Sequence, residues 1–194
     1  MAMACFIFYA YLTGRVDQSA YILMGIWLLG GFVIQVVVGV LELLSGNKTG
    51  GNIFLFFSAF FMLVTGLEMI FNYFAAMNGW VTDPRLSGWA WLPLAATLLL
   101  WTPAYFKSPL SLLLVVLSLD IAVPLVALMD LQVVTGAWAP MVAGYALLIA
   151  GMLGLYTAAA LVLNNAYQRV MLPMGTPLAL ISIPSRDATS PYKY

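Results

Sequence analysis

The stretch LSLLLVVLSLDIAVPLVALM, residues 110–129, contains one charged side chain, Asp120, in a run of otherwise uncharged and mostly apolar residues. A helix needs about 20 predominantly apolar residues to cross the hydrocarbon core of a bilayer, and this run has that length. The stretch therefore predicts a transmembrane helix with a carboxyl group near its middle.

The composition of the whole chain also indicates a membrane protein. Of its 194 residues, 64% are hydrophobic and 7% are charged, whereas soluble domains carry about 25% charged residues. The formal charge is zero and no cluster of Lys and Arg marks a nucleic-acid surface, so we expect no nucleic-acid partner. With one cysteine and no histidine, we expect no internal disulfide, no metal site, no cofactor and no enzymatic activity.

Five apolar runs are long enough to cross a membrane. They cover residues 20–44, 52–77, 86–106, 110–131 and 138–163. A further run, residues 2–13, would rise only about 18 Å as a helix, so it is either partly lined by protein or completed by residues upstream of Met1. The predicted fold is all-α and polytopic, with six transmembrane helices per protomer in residues 1–175, the first of them short or truncated, and a Pro-containing cytoplasmic tail at 176–194.

The basic residues predict the orientation of these spans. If the spans alternate, five basic residues fall on one side of the membrane and two, Arg15 and Arg85, on the other; the five are Lys48, Lys107, Arg169, Arg186 and Lys193. Lys and Arg are enriched in cytoplasmic loops. We therefore expect a protein of the cell membrane with both termini in the cytoplasm.

Polar side chains inside the predicted second and third spans mark a candidate site, because a charge at bilayer depth costs about 2.5 to 3.5 kcal/mol on insertion scales. Gln35 and Glu42 share one stripe of the second span with Gly39, which suits a polar conduit and a hydrogen-bonded helix seam equally well. Phe57 and Glu68 share one face of the third span. This spacing predicts either an aromatic constriction beside a carboxyl group or ordinary core packing with Glu68 paired to a neighbouring helix.

Asp120 lies about ten residues from either end of the fifth span, four residues before Pro124. Proline lacks the amide hydrogen that would bond the carbonyl of residue 120, so we expect a kink at this point. A freed carbonyl and a carboxyl group then occur at one residue. Asp120 is either a functional group lining a cavity or a protonated, hydrogen-bonded structural one.

Four stretches of the chain carry the motifs of one family. GGFVIQVVVGVLELLSGNKTGGNIFLFFSAFF, residues 30–61, contains paired glycines, Gln35-x3-Gly39-x2-Glu42 and Gly46-Asn47-x2-Gly50. LNNAYQRVMLPMG, residues 163–175, contains Asn164, Arg169, Pro173 and Gly175. TDPRLSGW, residues 82–89, and LSL, residues 117–119, lie between them in the expected places. In this order and spacing the chain resembles the YaaH-type acetate and succinate permeases, the AceTr family.

The resemblance implies a hexamer in which each protomer has six helices around its own pore, and it implies transport of acetate, succinate and related small carboxylates. The family's pore narrows at side chains of its first, third and fifth spans. Phe57 matches the third-span position and Leu119 the fifth. On this hypothesis Phe57 and Leu119 form an apolar gate, while Gln35 and Asn164 hydrogen-bond a carboxylate that sheds its water, with Glu42 as a further binding candidate.

The chain also departs from the family pattern. The family's N-terminal signature Asn-Pro-Ala-Pro-Leu-Gly-Leu is absent, so no first-span constriction residue is assigned. Phe57 stands where a tyrosine is common, and Glu68 and Asp120 stand where apolar or hydroxyl residues are usual. We therefore treat Glu68 and Asp120 as candidates for proton coupling or selectivity, and we expect uptake that strengthens as the external pH falls.

Two other functions stay open at the level of sequence. A channel for urea, an amide or ammonium is the alternative to carboxylate transport, because acidic residues in a pore attract cations. A membrane subunit without transport activity is the other. Neither alternative has a motif of its own in this chain.

Overall fold

The computed structural model describes residues 1–178, and within that range the chain is helical without a strand. We number the helices in chain order and treat the continuous helix over residues 48–78 as one element: α1 Ala2–Leu12, α2 Tyr21–Leu44, α3 Lys48–Asn78, α4 Arg85–Trp101, α5 Leu110–Asp130 and α6 Trp138–Tyr167. Short 3₁₀ turns occupy Gln18–Ala20 and Thr102–Lys107. Residues 179–194 lie outside the described residues, and they include most of the predicted tail with Arg186 and Lys193.

Four helices, α2, α3, α5 and α6, are long and apolar enough to cross a membrane. Helix α1 has 11 residues and is short, as its sequence predicted. The expected full-length helix over residues 86–106 is wrong at its end, because α4 stops at Trp101 and the chain continues as a 3₁₀ turn. Pro103 lacks the amide hydrogen needed to continue the α-helical bonding. Six membrane spans therefore stay a prediction.

Helix α5 lies at the centre of the packing, between α4 and α6, and α1 lies against α6. The contact of α1 with α6 is close because Gly151 has no side chain: a Cβ there would come within 3.1 Å of Cys5. Helix α2 packs mainly on α3, where a Cβ on Gly39 would come within 2.9 Å of Leu55. Small residues thus let these helices approach each other closely.

The middle of α3 departs from regular α-helical geometry. Residues Ser58–Val64 form a π-helical segment, in which backbone amides bond carbonyls five residues earlier and which commonly occurs at functional sites. The segment follows directly after Phe57 and contains Phe61, and both phenylalanines are buried in the core of the bundle. Helix α5, by contrast, continues from Leu110 to Asp130 through Pro124.

Candidate functional site

An apolar cavity lies among α1, α3, α4, α5 and α6. Its volume is about 30 Å³, and it is partly open to its surroundings. We call it the central cavity, and its lining side chains are Met1, Cys5, Phe8, Phe57, Phe61, Trp91, Leu94, Leu98, Leu119, Ala122, Val123, Val126 and Leu147. None of these side chains carries a charge, so the wall offers a solute almost no electrostatic compensation for lost water.

The structure brings Phe57 and Leu119 together on the wall of the central cavity. Phe57 is 4% exposed on α3 and Leu119 is 7% exposed on α5. The family resemblance assigns them to one constriction, and the structure shows that they share one cavity. Their action as a gate stays a prediction.

Helix α1 contributes Phe8, which the sequence did not single out. The Phe8 ring stacks on Phe61 with ring centroids 5.7 Å apart, and Trp91 lies 5.8 Å from Phe61 and 6.5 Å from Phe8. These three rings join α1, α3 and α4 in the cavity wall. Because α1 is apolar on every face, its periodicity gives no signal that favours Phe8 over Phe6, which is 37% exposed.

Gln35 and Glu42 lie outside the cavity lining, on the part of α2 that approaches α3. Gln35 is 5% exposed, and neither its amide nitrogen nor its amide oxygen has a hydrogen-bond partner among the described residues. Glu42 instead accepts a 2.6 Å hydrogen bond from Asn47, whose own oxygen accepts from the Gly50 amide at 3.0 Å. The motif residues Glu42, Asn47 and Gly50 thus build the turn between α2 and α3.

The amide of Asn164 is used within the chain. Its Oδ1 accepts from the backbone amides of Met171 at 2.7 Å and Leu172 at 3.0 Å, and its Nδ2 donates to the Leu172 carbonyl at 2.9 Å. Nearby, the Tyr156 hydroxyl donates to the Pro173 carbonyl at 2.6 Å. The closing motif therefore folds the segment after α6 back onto that helix, and substrate binding by Asn164 stays a prediction.

Glu68 belongs to a group of polar side chains at one end of the bundle. It accepts a hydrogen bond from the Ser87 hydroxyl at the start of α4, and its carboxyl group lies near that of Asp130 at the end of α5. The hydroxyl groups of Tyr11 and Tyr21 are 2.9 Å apart, and Tyr11 interacts electrostatically with both carboxyl groups. We call Tyr11, Tyr21, Glu68, Ser87 and Asp130 the polar end cluster. Asp130 was missed in the sequence because it ends a helix, where a charged residue is unremarkable.

Asp120 lies apart from this cluster. Its Oδ2 is 2.8 Å from the Thr102 hydroxyl, while its Oδ1 is buried with no partner among the described residues. Glu68 and Asp120 thus contact opposite ends of α4, at Ser87 and at Thr102. Asp120 is also absent from the cavity lining, although its neighbour Leu119 is part of it.

The charged groups in the connecting loops pair locally. Within the described residues, Asp83 and Arg85 form an ion pair with 2.7 Å between the guanidinium and the carboxylate. The hydrogen bonds from Arg85 lower the pKa of Asp83 to about 2. Hydrogen bonds from Ser19 likewise lower the pKa of Asp17. Arg85 is therefore engaged with Asp83, although Ser87 of the polar end cluster is only two residues away.

The chain is similar to a solved structure described as the bacterial acetate channel SatP. The two share 22% sequence identity with a TM-score of 0.74, over 90% of this chain and 93% of the other. The chain has the fold of that channel. No protein-family model and no curated protein matches the sequence. The shared fold and four helices of membrane-spanning length together support a location in a membrane.

Proposed function

We propose that this chain is a channel of the AceTr family for acetate and related small carboxylates, and that the solute crosses through the central cavity. One observation carries the proposal. The two gate residues that the family resemblance selects, Phe57 and Leu119, line one cavity inside a fold shared with an acetate channel. The likeness of fold to SatP and the resemblance in sequence motifs both support this proposal.

The apolar wall favours passage of the neutral acid. Moving an ionised carboxylate into a low-dielectric space without a partner costs many kcal/mol, whereas the protonated acid has only a hydroxyl and a carbonyl to desolvate. In this mechanism the proton travels on the solute. Uptake then strengthens as the external pH falls, without a titrating side chain in the cavity wall.

The gate in this proposal consists of Phe57 from α3, Leu119 from α5 and Phe8 from α1. Phe8 supplies the first-span position that the sequence left unassigned, because its ring lies in the cavity wall against Phe61. All three side chains are buried. A rigid apolar constriction of this kind discriminates by size and by the cost of removing water.

The finer organisation is proposed from the resemblance. It comprises six spans per protomer in residues 1–175, a hexameric ring in the cell membrane, and cytoplasmic termini with a tail at 176–194. The cavity wall does not include Gln35, Glu42 or Asn164, so the transport proposal does not depend on carboxylate binding by these residues.

The experiment is uptake of labelled acetate into proteoliposomes that contain the purified chain, measured at several external pH values. We expect uptake above that of protein-free liposomes, rising about tenfold per pH unit of acidification while the neutral acid is the minor species. Unlabelled succinate, urea and ammonium are added in turn as competitors. Acetate uptake equal to that of protein-free liposomes at every pH would overturn the proposal.

A channel for a neutral or cationic solute is the second candidate, and the polar end cluster is the observation that favours it. Glu68 and Asp130 place two carboxyl groups together, and no basic side chain within the described range forms an ion pair with either. Such a group attracts cations and repels anions. In the same assay this function would show as uptake of labelled urea or ammonium that acetate does not compete with.

A further inference from the structure

We propose that Asp120 is a neutral carboxylic acid that donates a hydrogen bond to the Thr102 hydroxyl and so holds Leu119 in the wall of the central cavity. Asp120 is then a positioning residue and does not touch the solute. The inference deepens the proposed function, because the importance of Leu119 rests on transport through that cavity.

The number of protons at Thr102 supports a neutral Asp120. The Thr102 Oγ1 lies 2.9 Å from the Leu98 carbonyl oxygen and 2.8 Å from Asp120 Oδ2. A threonine hydroxyl has one hydrogen to donate, and a carbonyl oxygen can only accept. Both contacts are hydrogen bonds only if the carboxyl group donates to Thr102 while Thr102 donates to Leu98. An ionised Asp120 would leave one of these two oxygen pairs without a hydrogen between them.

The surroundings of Asp120 also favour the neutral form. Its Oδ1 is buried without a partner among the described residues, and Asp120 takes part in no ion pair there. Tyr105, in the turn after α4, is near enough to interact with it electrostatically, and Lys107 in the same turn is exposed. Helix α6 contains no charged residue. The other charged residue of α5, Asp130, is the last residue of that helix, and the one charged residue of α4, Arg85, lies at the end of α4 opposite Thr102. Burial of an unpaired carboxylate is costly, whereas a protonated carboxyl group costs much less.

The contact with Thr102 fixes the rotation of α5. Consecutive helical residues point about 100° apart, so anchoring Asp120 to α4 sets the direction of Leu119 beside it. Pro124 lacks the amide hydrogen that would bond the carbonyl of Asp120, so the backbone of α5 is held less firmly at this turn. The side-chain bond to Thr102 supplies a tie from α5 to the end of α4 at the same level.

Infrared difference spectroscopy of the purified chain tests the protonation directly. We expect the carbonyl band of a protonated carboxyl group at neutral pH, lost in Asp120→Asn. A difference spectrum that instead shows loss of an ionised carboxylate would overturn the proposal. This readout does not need a transported solute, so it stays decisive if acetate uptake fails.

Transport by variants tests the positioning role. Asp120→Asn keeps a donor to Thr102, and we expect its acetate uptake, its preference for acetate over larger acids and its pH profile to match those of the unsubstituted chain. Asp120→Leu and Thr102→Val remove the bond, and we expect the preference for acetate to fall about threefold to tenfold, because a displaced wall discriminates less well. Thr102→Ser keeps the hydroxyl and should restore the preference.

A shifted pH profile in Asp120→Asn would overturn the proposal, because it would show that Asp120 titrates during transport. Unchanged selectivity in both Asp120→Leu and a folded Thr102→Val would also overturn it. If Thr102→Val does not fold, Asp120→Leu and Asp120→Asn still separate a lost hydrogen bond from a lost charge. Absence of acetate uptake in the unsubstituted chain would instead contradict the proposed function, with the infrared result standing on its own.

Discussion

The central cavity and the polar end cluster are built from some of the same helices but differ in the side chains they present. The cavity wall is apolar throughout, whereas the cluster combines two carboxyl groups, two tyrosine hydroxyls and a serine. A solute can keep hydrogen bonds beside the cluster but loses them in the cavity. From this comparison we expect selection by desolvation and size at the cavity, and selection by charge at the end of the bundle.

The largest expected effect comes from filling the cavity. Ala122 is fully buried on α5 and lines the cavity, so Ala122→Phe places a ring in the proposed path. We expect acetate uptake in proteoliposomes to fall by about tenfold or more, because a constriction without free volume does not pass even a small acid. Overpacking of this kind typically costs about 1 to 3 kcal/mol of stability, which a thermal unfolding scan measures alongside.

The adjacent residue provides the matched control. Ile121 is 53% exposed on the outer face of α5, so Ile121→Phe adds an aromatic ring to the same helix without entering the cavity. Its uptake should equal that of the unsubstituted chain. Normal uptake by a folded Ala122→Phe protein would show that the solute takes another path and would remove the cavity from the comparison.

The amides of Gln35 and Asn164 give a smaller effect, on stability. Gln35 is buried with both polar atoms unpartnered among the described residues, so Gln35→Leu should raise the free energy of unfolding by about 0.5 to 1.5 kcal/mol. Asn164 bonds three backbone groups, so Asn164→Ala should lower it by about 1 to 2 kcal/mol. Thermal unfolding in one detergent measures both changes.

Uptake by the same two variants sharpens the comparison. We expect acetate uptake to be unchanged in each, since neither amide lines the cavity. Reduced uptake in a stabilised Gln35→Leu protein would show that the solute reaches the seam between α2 and α3. The sequence-based prediction of Gln35 as a carboxylate ligand would then be confirmed, and selection by hydrogen bonding would join selection by desolvation.

The sequence alone predicts the parts of this molecule that depend on local composition and on motifs. Apolar runs locate α2, α3, α5 and α6 closely, because a membrane span needs a minimum apolar length. The family motifs select Phe57 and Leu119, which both line the central cavity, while their role as a constriction stays a prediction. Phe8 is not selected because α1 is apolar all round, and its inward face depends on contacts with α3 and α4.

The partners of the polar side chains could not be predicted, for a different physical reason. Whether a buried amide is bonded, as in Asn164, or unbonded, as in Gln35, depends on where a distant part of the backbone returns. The contact between Asp120 and Thr102 likewise depends on α4 ending at Trp101, which the apolar run beyond it conceals. The hydropathy of a residue reflects the free-energy cost of burying its polar group, but it does not identify the groups that hydrogen-bond to it in the folded chain.

The smallest expected effect concerns Asp83, beside the polar end cluster. Its pKa, lowered to about 2 by the hydrogen bonds from Arg85, lies below the value of about 3.9 expected in the unfolded chain. Because the folded-state pKa is the lower one, the stabilising contribution is fully present above pH 4 and is lost as the pH falls through about 2. The pair is exposed, so Asp83→Asn should lower the melting temperature slightly at neutral pH, and by progressively less as the pH falls from about 4 towards 2.

Arg85→Gln is the control for this pair. In a chain that already carries Arg85→Gln, adding Asp83→Asn should no longer lower the melting temperature at neutral pH, because the guanidinium that pairs with Asp83 is gone. The same variants also test the polar end cluster. Asp83→Asn frees Arg85, two residues from Ser87, to approach Glu68 and Asp130. If selection by charge takes place at this end, neutralising those carboxyl groups should favour acetate over ammonium in the competition assay, and Arg85→Gln should not. An equal response of the two variants would show that freeing Arg85 does not change selection at this end of the bundle.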